Sequence, residues 1–135
     1  MADAATSTTL LDGDRLAIIQ LTSTSDGTGE SAVKKVDVSA LQPNNFGKAC
    51  TGVRLAKICY STFGMSVKLL WDATTDAICW DLNANYADSE DFTEFSGIVN
   101  IAGTGKTGDI NLTTTGHSSG DSYVIVLTLI KNYAA

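Results

Sequence analysis

Apolar and polar positions alternate with a period of two along much of the chain, the spacing that sends successive side chains of an extended strand to opposite faces. In Met65–Asp72, the residues Met65, Val67, Leu69 and Trp71 share one face while Ser66, Lys68 and Asp72 share the other, with Leu70 out of phase. This predicts a half-buried strand. The turn-prone Ala73-Thr74-Thr75-Asp76 leads into Ala77–Leu82, where the same alternation groups Ile78, Trp80 and Leu82 against Cys79 and Asp81. Two such segments around a short polar turn predict a β-hairpin, with Trp71 and Trp80 meeting across it as a cross-strand pair.

Further strands are expected over Arg15–Thr24, Val33–Ala40, Val53–Ser61, Gly97–Ile101, Asp109–Thr115 and Ser122–Tyr133. The last is apolar on both faces and rich in β-branched residues, the pattern of a central strand covered on both sides. Between these segments lie Ser25–Gly29, Gln42–Gly47, Gly103–Asp109 and Gly116–Asp121, rich in residues that tolerate turn dihedrals. About eight short strands with intervening turns predict an all-β, single-domain sandwich, jelly-roll-like in character. The one helical signal is Ser89–Phe95, with Ser89 as a cap and Phe92 and Phe95 three apart, enough for a single turn. Residues 1–10 are small, polar and Thr-rich, which predicts a flexible N-terminal arm preceding a domain over 11–135.

Composition narrows the functional classes. A length of 135 residues fits one domain with a core large enough to fold without metals or disulfides. No apolar run approaches a membrane span, and the start of the chain lacks the positive charge and apolar stretch of a secretory signal. With 15 acidic against nine basic residues the net charge is −6, and the basic residues are scattered, which opposes nucleic-acid binding. Cys50, Cys59 and Cys79 cannot all pair within one chain, and their spacing holds no C-x-x-C pair, so reduced thiols serving as packing are expected.

Several short patterns suggest chemistry and lose it on inspection. Gly103-Thr-Gly-Lys-Thr107 resembles the end of a phosphate loop, but the required earlier glycine is replaced by Asn100 and a strand, not a helix, follows. His117 is the only histidine and sits among turn residues, so a catalytic base there would lack an orienting partner. Asp88, Glu90, Asp91 and Glu94 cluster near Tyr86 and Phe92, but without the ligand alternation of a calcium loop they read as a solvated acidic loop; calcium at an interface stays open. Asn111-Leu-Thr113 matches a glycan acceptor, relevant only in a eukaryotic secretory pathway. Trp71, Trp80, Tyr60, Tyr86 and Tyr123 could line a sugar-binding face, although their alternation fits core packing better.

The segments Leu11-Asp-Gly-Asp-Arg-Leu-Ala17, Ser25-Asp-Gly-Thr-Gly through Ser39-Ala-Leu41, Val67-Lys-Leu-Leu-Trp-Asp-Ala73, Gly103-Thr-Gly-Lys-Thr-Gly-Asp-Ile110 and Gly116-His-Ser-Ser-Gly-Asp-Ser-Tyr123 resemble small structural proteins of tailed bacteriophages, many from marine hosts. The similarity runs in blocks from Leu11 to Ile130. It implies a virion component without catalytic residues or cofactors, a capsid decoration or cement protein. Such a protein would be made in the host cytoplasm and would bridge major capsid protein subunits on the head exterior, as a homo-oligomer expected to be a trimer. A tail, neck or head-completion protein, or a receptor- or carbohydrate-binding module, would be the alternatives. The residues expected at a partner interface are Thr8, Thr9, Leu10 and Leu11 in the arm, which could order on a neighbour by strand addition, and Asp88, Glu90, Asp91 and Phe92 in the acidic segment.

Overall fold

The computed structural model describes residues 4–27, 29–95, 97–116 and 118–133. Nine strands follow one another along the chain: β1 (Ala4–Asp12), β2 (Leu16–Thr24), β3 (Val33–Val36), β4 (Cys50–Phe63), β5 (Ser66–Trp71), β6 (Ala77–Leu82), β7 (Ala87–Asp91), β8 (Ile110–Thr115) and β9 (Ser122–Tyr133). They form two antiparallel sheets, one ordered β1-β2-β9-β4-β7 and the other β3-β8-β5-β6. The architecture is an all-β sandwich, as the alternation predicts. Single 3-10 turns at Val38–Ala40 and Thr93–Phe95 are its only helical elements among the described residues, and no described helix is long and apolar enough to cross a membrane.

The core lies between the sheets because the inward half of each alternating strand is apolar. Leu21, Ile125 and Tyr60 fall side by side on β2, β9 and β4, and Ile19, Leu127 and Ile58 form the next row. Val67, Leu69 and Trp71 face them from β5 with Ile110 and Leu112 from β8, all essentially inaccessible. Removing such side chains from water supplies about 1.5–3 kcal/mol each. The indole nitrogen of the fully buried Trp71 has no hydrogen-bond partner among the described residues, a local cost within this otherwise apolar layer.

The β5–β6 hairpin forms as expected, but its faces differ. Leu69 pairs with Trp80 while Leu70 pairs with Ile78, so Cys79 is an extra residue in a β-bulge. The bulge shifts the phase: Trp80 and Leu82 point inward, Cys79 is buried within the bulge, and Ile78 turns outward at 51% exposure. Trp71 therefore sits opposite Ala77, and Trp80 packs edge-on against Phe92 at 4.9 Å between ring centroids instead of meeting Trp71.

Other expectations change in instructive ways. Residues 4–10, expected in a flexible arm, belong to edge strand β1, paired with β2 from Ala4↔Thr24 to Asp12↔Ala17. Main-chain bonding holds this strand; the side chains of residues 5–10 are exposed and leave no hydrophobic period. Residues 1–3 of that arm lie outside the described residues. The helical signal at Ser89–Phe95 resolves into the end of strand β7 followed by a single 3-10 turn at Thr93–Phe95; Ser89 lies in the strand instead of capping the turn, and the Asp91 carboxylate accepts from the Thr93 amide at 2.9 Å and hydroxyl at 2.6 Å. Gly97–Ile101 contributes a single bridge, Ile98 to Leu55. Strand β9 is central, but only its inward face is buried, and Val124, Val126, Thr128 and Ile130 face outward half-covered or exposed.

Two buried ion pairs stitch loops to this frame. Lys131, at the end of β9, has a fully enclosed side chain whose ammonium donates to Asp12 Oδ1 at 2.6 Å, Gly13 O at 2.9 Å and Gln42 O at 2.8 Å. At the opposite end Glu30 is paired with Lys35, both almost fully buried, and accepts from the Tyr123 hydroxyl at 2.6 Å. In each case the buried charge is compensated, and Lys131 also spends its remaining donors on main-chain carbonyls, as burial of an ion requires.

Candidate functional site

The residues that the sequence marks for a partner interface lie on or next to the five-stranded sheet, whose two edges and outer face differ in character. Thr8, Thr9, Leu10 and Leu11 lie exposed on β1, with Leu10 and Leu11 at 55% and 46%. Asp88, Glu90 and Asp91 lie on β7, at the opposite edge of the same sheet. Three strands intervene, about 19 Å at the usual inter-strand spacing, so the two groups form separate surfaces. Phe92 does not belong to either: at 8% exposure it plugs the core against Trp80, because its ring follows the chain as it turns inward after β7.

The acidic edge is electrostatically tense. Asp88 and Glu90 are two residues apart on one strand and so share a face, opposite Tyr60 and Ile58 of β4. A hydrogen bond with Asp88, partial desolvation and the like charge hold the Glu90 carboxyl above the ordinary range. The Thr93 hydroxyl and amide hold Asp91 below it. Burial raises the Tyr60 phenol, with Asp88 adding to the effect, and the Tyr60 and Tyr86 rings lie 6.3 Å apart. Among the described residues no group of three or more His, Cys, Asp or Glu is placed to hold a metal.

The outer face of the sheet carries an apolar band that alternation alone left unresolved. Leu11 sits opposite Ile18 and Leu16 opposite Ile130; beyond Thr128, which faces Ile18, Val126 and Val124 follow along β9 opposite Gln20 and Thr22. Leu16 and Val124 are 40% and 43% exposed. Toward β7 the band opens into a shallow groove of about 450 Å³ floored by Cys59, Ser61, Val124 and Val126 and walled by Ala87 and Ser89.

No family model matches the chain, and no curated protein matches it either.

The remaining sequence candidates resolve into structure. In the Gly103–Thr107 loop, the Lys106 amide donates to Gly103 O at 3.2 Å and the Thr107 amide to Asp72 O at 3.1 Å, while the Thr107 hydroxyl bonds Asp72 Oδ2 at 2.7 Å. These groups are committed to the loop itself. Gly108, at φ +88°, presses against the Thr51 carbonyl, where a Cβ would stand 2.3 Å from the oxygen. A cavity of about 360 Å³ beside this contact is bordered by Gly52, Asn100, Lys106 and Asn132. Asn111 of the glycan-acceptor pattern is buried, its amide donating to Asp72 at 2.8 Å and Asp76 at 3.2 Å. Trp71, Tyr123 and Tyr60 are core residues, which leaves Tyr86, at 50%, as the exposed ring of the aromatic set. Cys50 and Cys79 are buried, and burial pushes the Cys79 thiol up to about 12; Cys59 sits partly exposed on the outer face, and none of the three is in a disulfide. His117 lies outside the described residues.

Proposed function

We propose that this chain is a non-enzymatic structural protein of a tailed-phage virion, a decoration protein that bridges major capsid protein subunits on the head exterior. The observation that carries this reading is the set of outward apolar residues Leu11, Leu16, Ile18, Val124, Val126 and Ile130 on three neighbouring strands, interspersed with the neutral Gln20, Thr22 and Thr128, an uncharged face of the kind that a partner covers. The rigid sheet presents the band without any ordering of loops, which limits the entropy lost on docking. The acidic β7 edge beside it would steer the protein toward a basic patch on the capsid surface. The sequence resemblance to phage structural proteins supplies the identity of the partner; the band supplies the means of attachment.

The test is the position of the protein in purified virions. Electron cryo-microscopy should show its density on the outer face of the head, and Ile18→Glu or Val126→Glu, which introduces charge on an outward position, should release it from particles while the free protein still folds. Density confined to the tail or neck, or undiminished occupancy of both charged variants, would refute the reading.

A further inference from the structure

Of the four strands that end the two sheets, three are blunted against further pairing. Strand β7 is five residues long and carries Asp88, Glu90 and Asp91. Strand β3 is four residues long and carries the exposed Lys34. Strand β6 is interrupted by the bulge at Cys79 and carries Asp81. Short length, charge and bulges are the devices by which sheet edges avoid adding a neighbour. Strand β1 differs. It runs nine residues, its stretch from Ala4 to Leu11 has no charged residue and no proline, and its only irregularity is the bulge between Thr9 and Leu11 at one end.

We propose that the β1 edge is a self-association site, at which two copies of this chain pair β1 to β1 about a two-fold axis and join their five-stranded sheets into one continuous sheet.

A second copy is the occupant because the uncharged Ala, Ser and Thr edge is complementary to itself, and charge selects this edge over the others. Two molecules of net charge −6 repel, so they meet with least cost where neither presents a charge, and among these edges only β1 offers that over a strand's length. An antiparallel two-fold pairing of the regular stretch Ala5–Thr9 brings Ala, Ser and Thr side chains opposite one another, and Thr–Thr and Thr–Ser neighbours are favourable cross-strand pairs. Asp12, the charged end of the strand, stays at opposite ends of the pair, on the order of 30 Å from its symmetry mate. It is also neutralised within its own chain by Lys131. The same operation at β7 would set Asp88, Glu90 and Asp91 against their own copies. A two-fold edge contact closes on itself and needs the same surface from both partners, so it yields a dimer and stops. The pairing concerns the free protein and does not depend on attachment to any larger assembly.

Sedimentation of the full chain over a wide concentration range, with hydrogen exchange on the same samples, tests this. The expected result is a monomer–dimer equilibrium in which exchange protection grows with concentration in β1 and not in β7. The dimer should tighten as salt rises, because screening relieves repulsion between like-charged copies. Thr8→Lys, an exposed mid-strand change that sets like charges near the axis, should weaken the dimer roughly tenfold or more, whereas Asp88→Lys at the other edge should leave β1 protection unchanged. If Thr8→Lys does not fold, exchange in the unmodified protein carries the test alone. A chain that stays monomeric up to millimolar concentration overturns the proposal, as does concentration-dependent protection at another edge, a dimer weakened by salt, or a folded Thr8→Lys protein that dimerises as well as the original.

Discussion

Lys131 Nζ lies 2.6 Å from Asp12 Oδ1, joining the last strand of the sandwich to the end of the first with a lysine side chain that no solvent reaches. Burial pushes the Asp12 carboxyl up, but the bonds from Lys131 and the Gln42 amide outweigh it, so the group sits below the ordinary carboxylate range. Burial likewise pulls the ammonium down, and its bonds to Asp12 and Tyr133 more than restore it, leaving Lys131 above the ordinary lysine value.

Asp12→Asn should therefore destabilise the protein by about 3 kcal/mol at neutral pH, because the enclosed ammonium loses its counter-charge. The contribution of a carboxyl with a lowered native pKa is present above its unfolded value and lost as pH falls through the native one. That of an amine with a raised value is lost as pH rises through the native pKa. Denaturant melts across the pH range should show the gap between Asp12→Asn and the original protein closing at both the acid and the alkaline ends. A gap independent of pH would show that the pair acts through packing alone.

Glu30 is the second such anchor. Glu30→Gln leaves Lys35 buried opposite a neutral amide and should cost about 2 kcal/mol, and Tyr123→Phe, which removes only the hydroxyl bonded to Glu30, about 1 kcal/mol. Because both substitutions act on one network, their combination should fall short of the sum, which a double-mutant cycle by chemical denaturation measures.

Gly108→Ala should lower stability by about 2 kcal/mol or more, since the residue holds a left-handed backbone angle and the new methyl would collide with the Thr51 carbonyl. Gly103→Ala, where no atom lies within 4 Å of the added carbon, should cost far less. Comparable thermal melts for the two variants would contradict the packing role assigned to the loop.

Thiol labelling under native conditions should modify Cys59 first, and Cys50 and Cys79 only on unfolding. Cys79 stays protonated at neutral pH because burial holds its pKa at about 12, and burial also raises Cys50, so neither offers a thiolate to a reagent that must also reach it. Mass spectrometry of the labelled peptides reads the order directly.

The alternation of apolar residues was enough to identify the sandwich, the β5–β6 hairpin and the central position of β9, because an inward face every second residue is a property of the chain itself. Strands without such a face were silent. Strand β1 is built from Ala, Ser and Thr and is held by main-chain bonds to β2, and β7 is acidic and pairs at the margin of β4, so neither leaves a hydrophobic period to read. Exposure of Thr8, Thr9, Asp88 and Asp91 was legible from polarity, whereas Phe92 as a core plug was not, since an aromatic ring beside charges reads as surface until the turn that buries it is known.

Tertiary structure alone decided the rest. The bulge that turns Cys79 inward and Ile78 outward is a matter of register between two strands, and no one-strand pattern contains it. Which charges are neutralised in the interior depends on residues 119 positions apart for Lys131 and Asp12 and on the loop that brings Glu30 to Tyr123. The apolar band on the outer face exists because strand order sets Leu11, Ile18 and Val126 on neighbouring strands; each is an unremarkable residue along the chain, and only pairing makes them one surface.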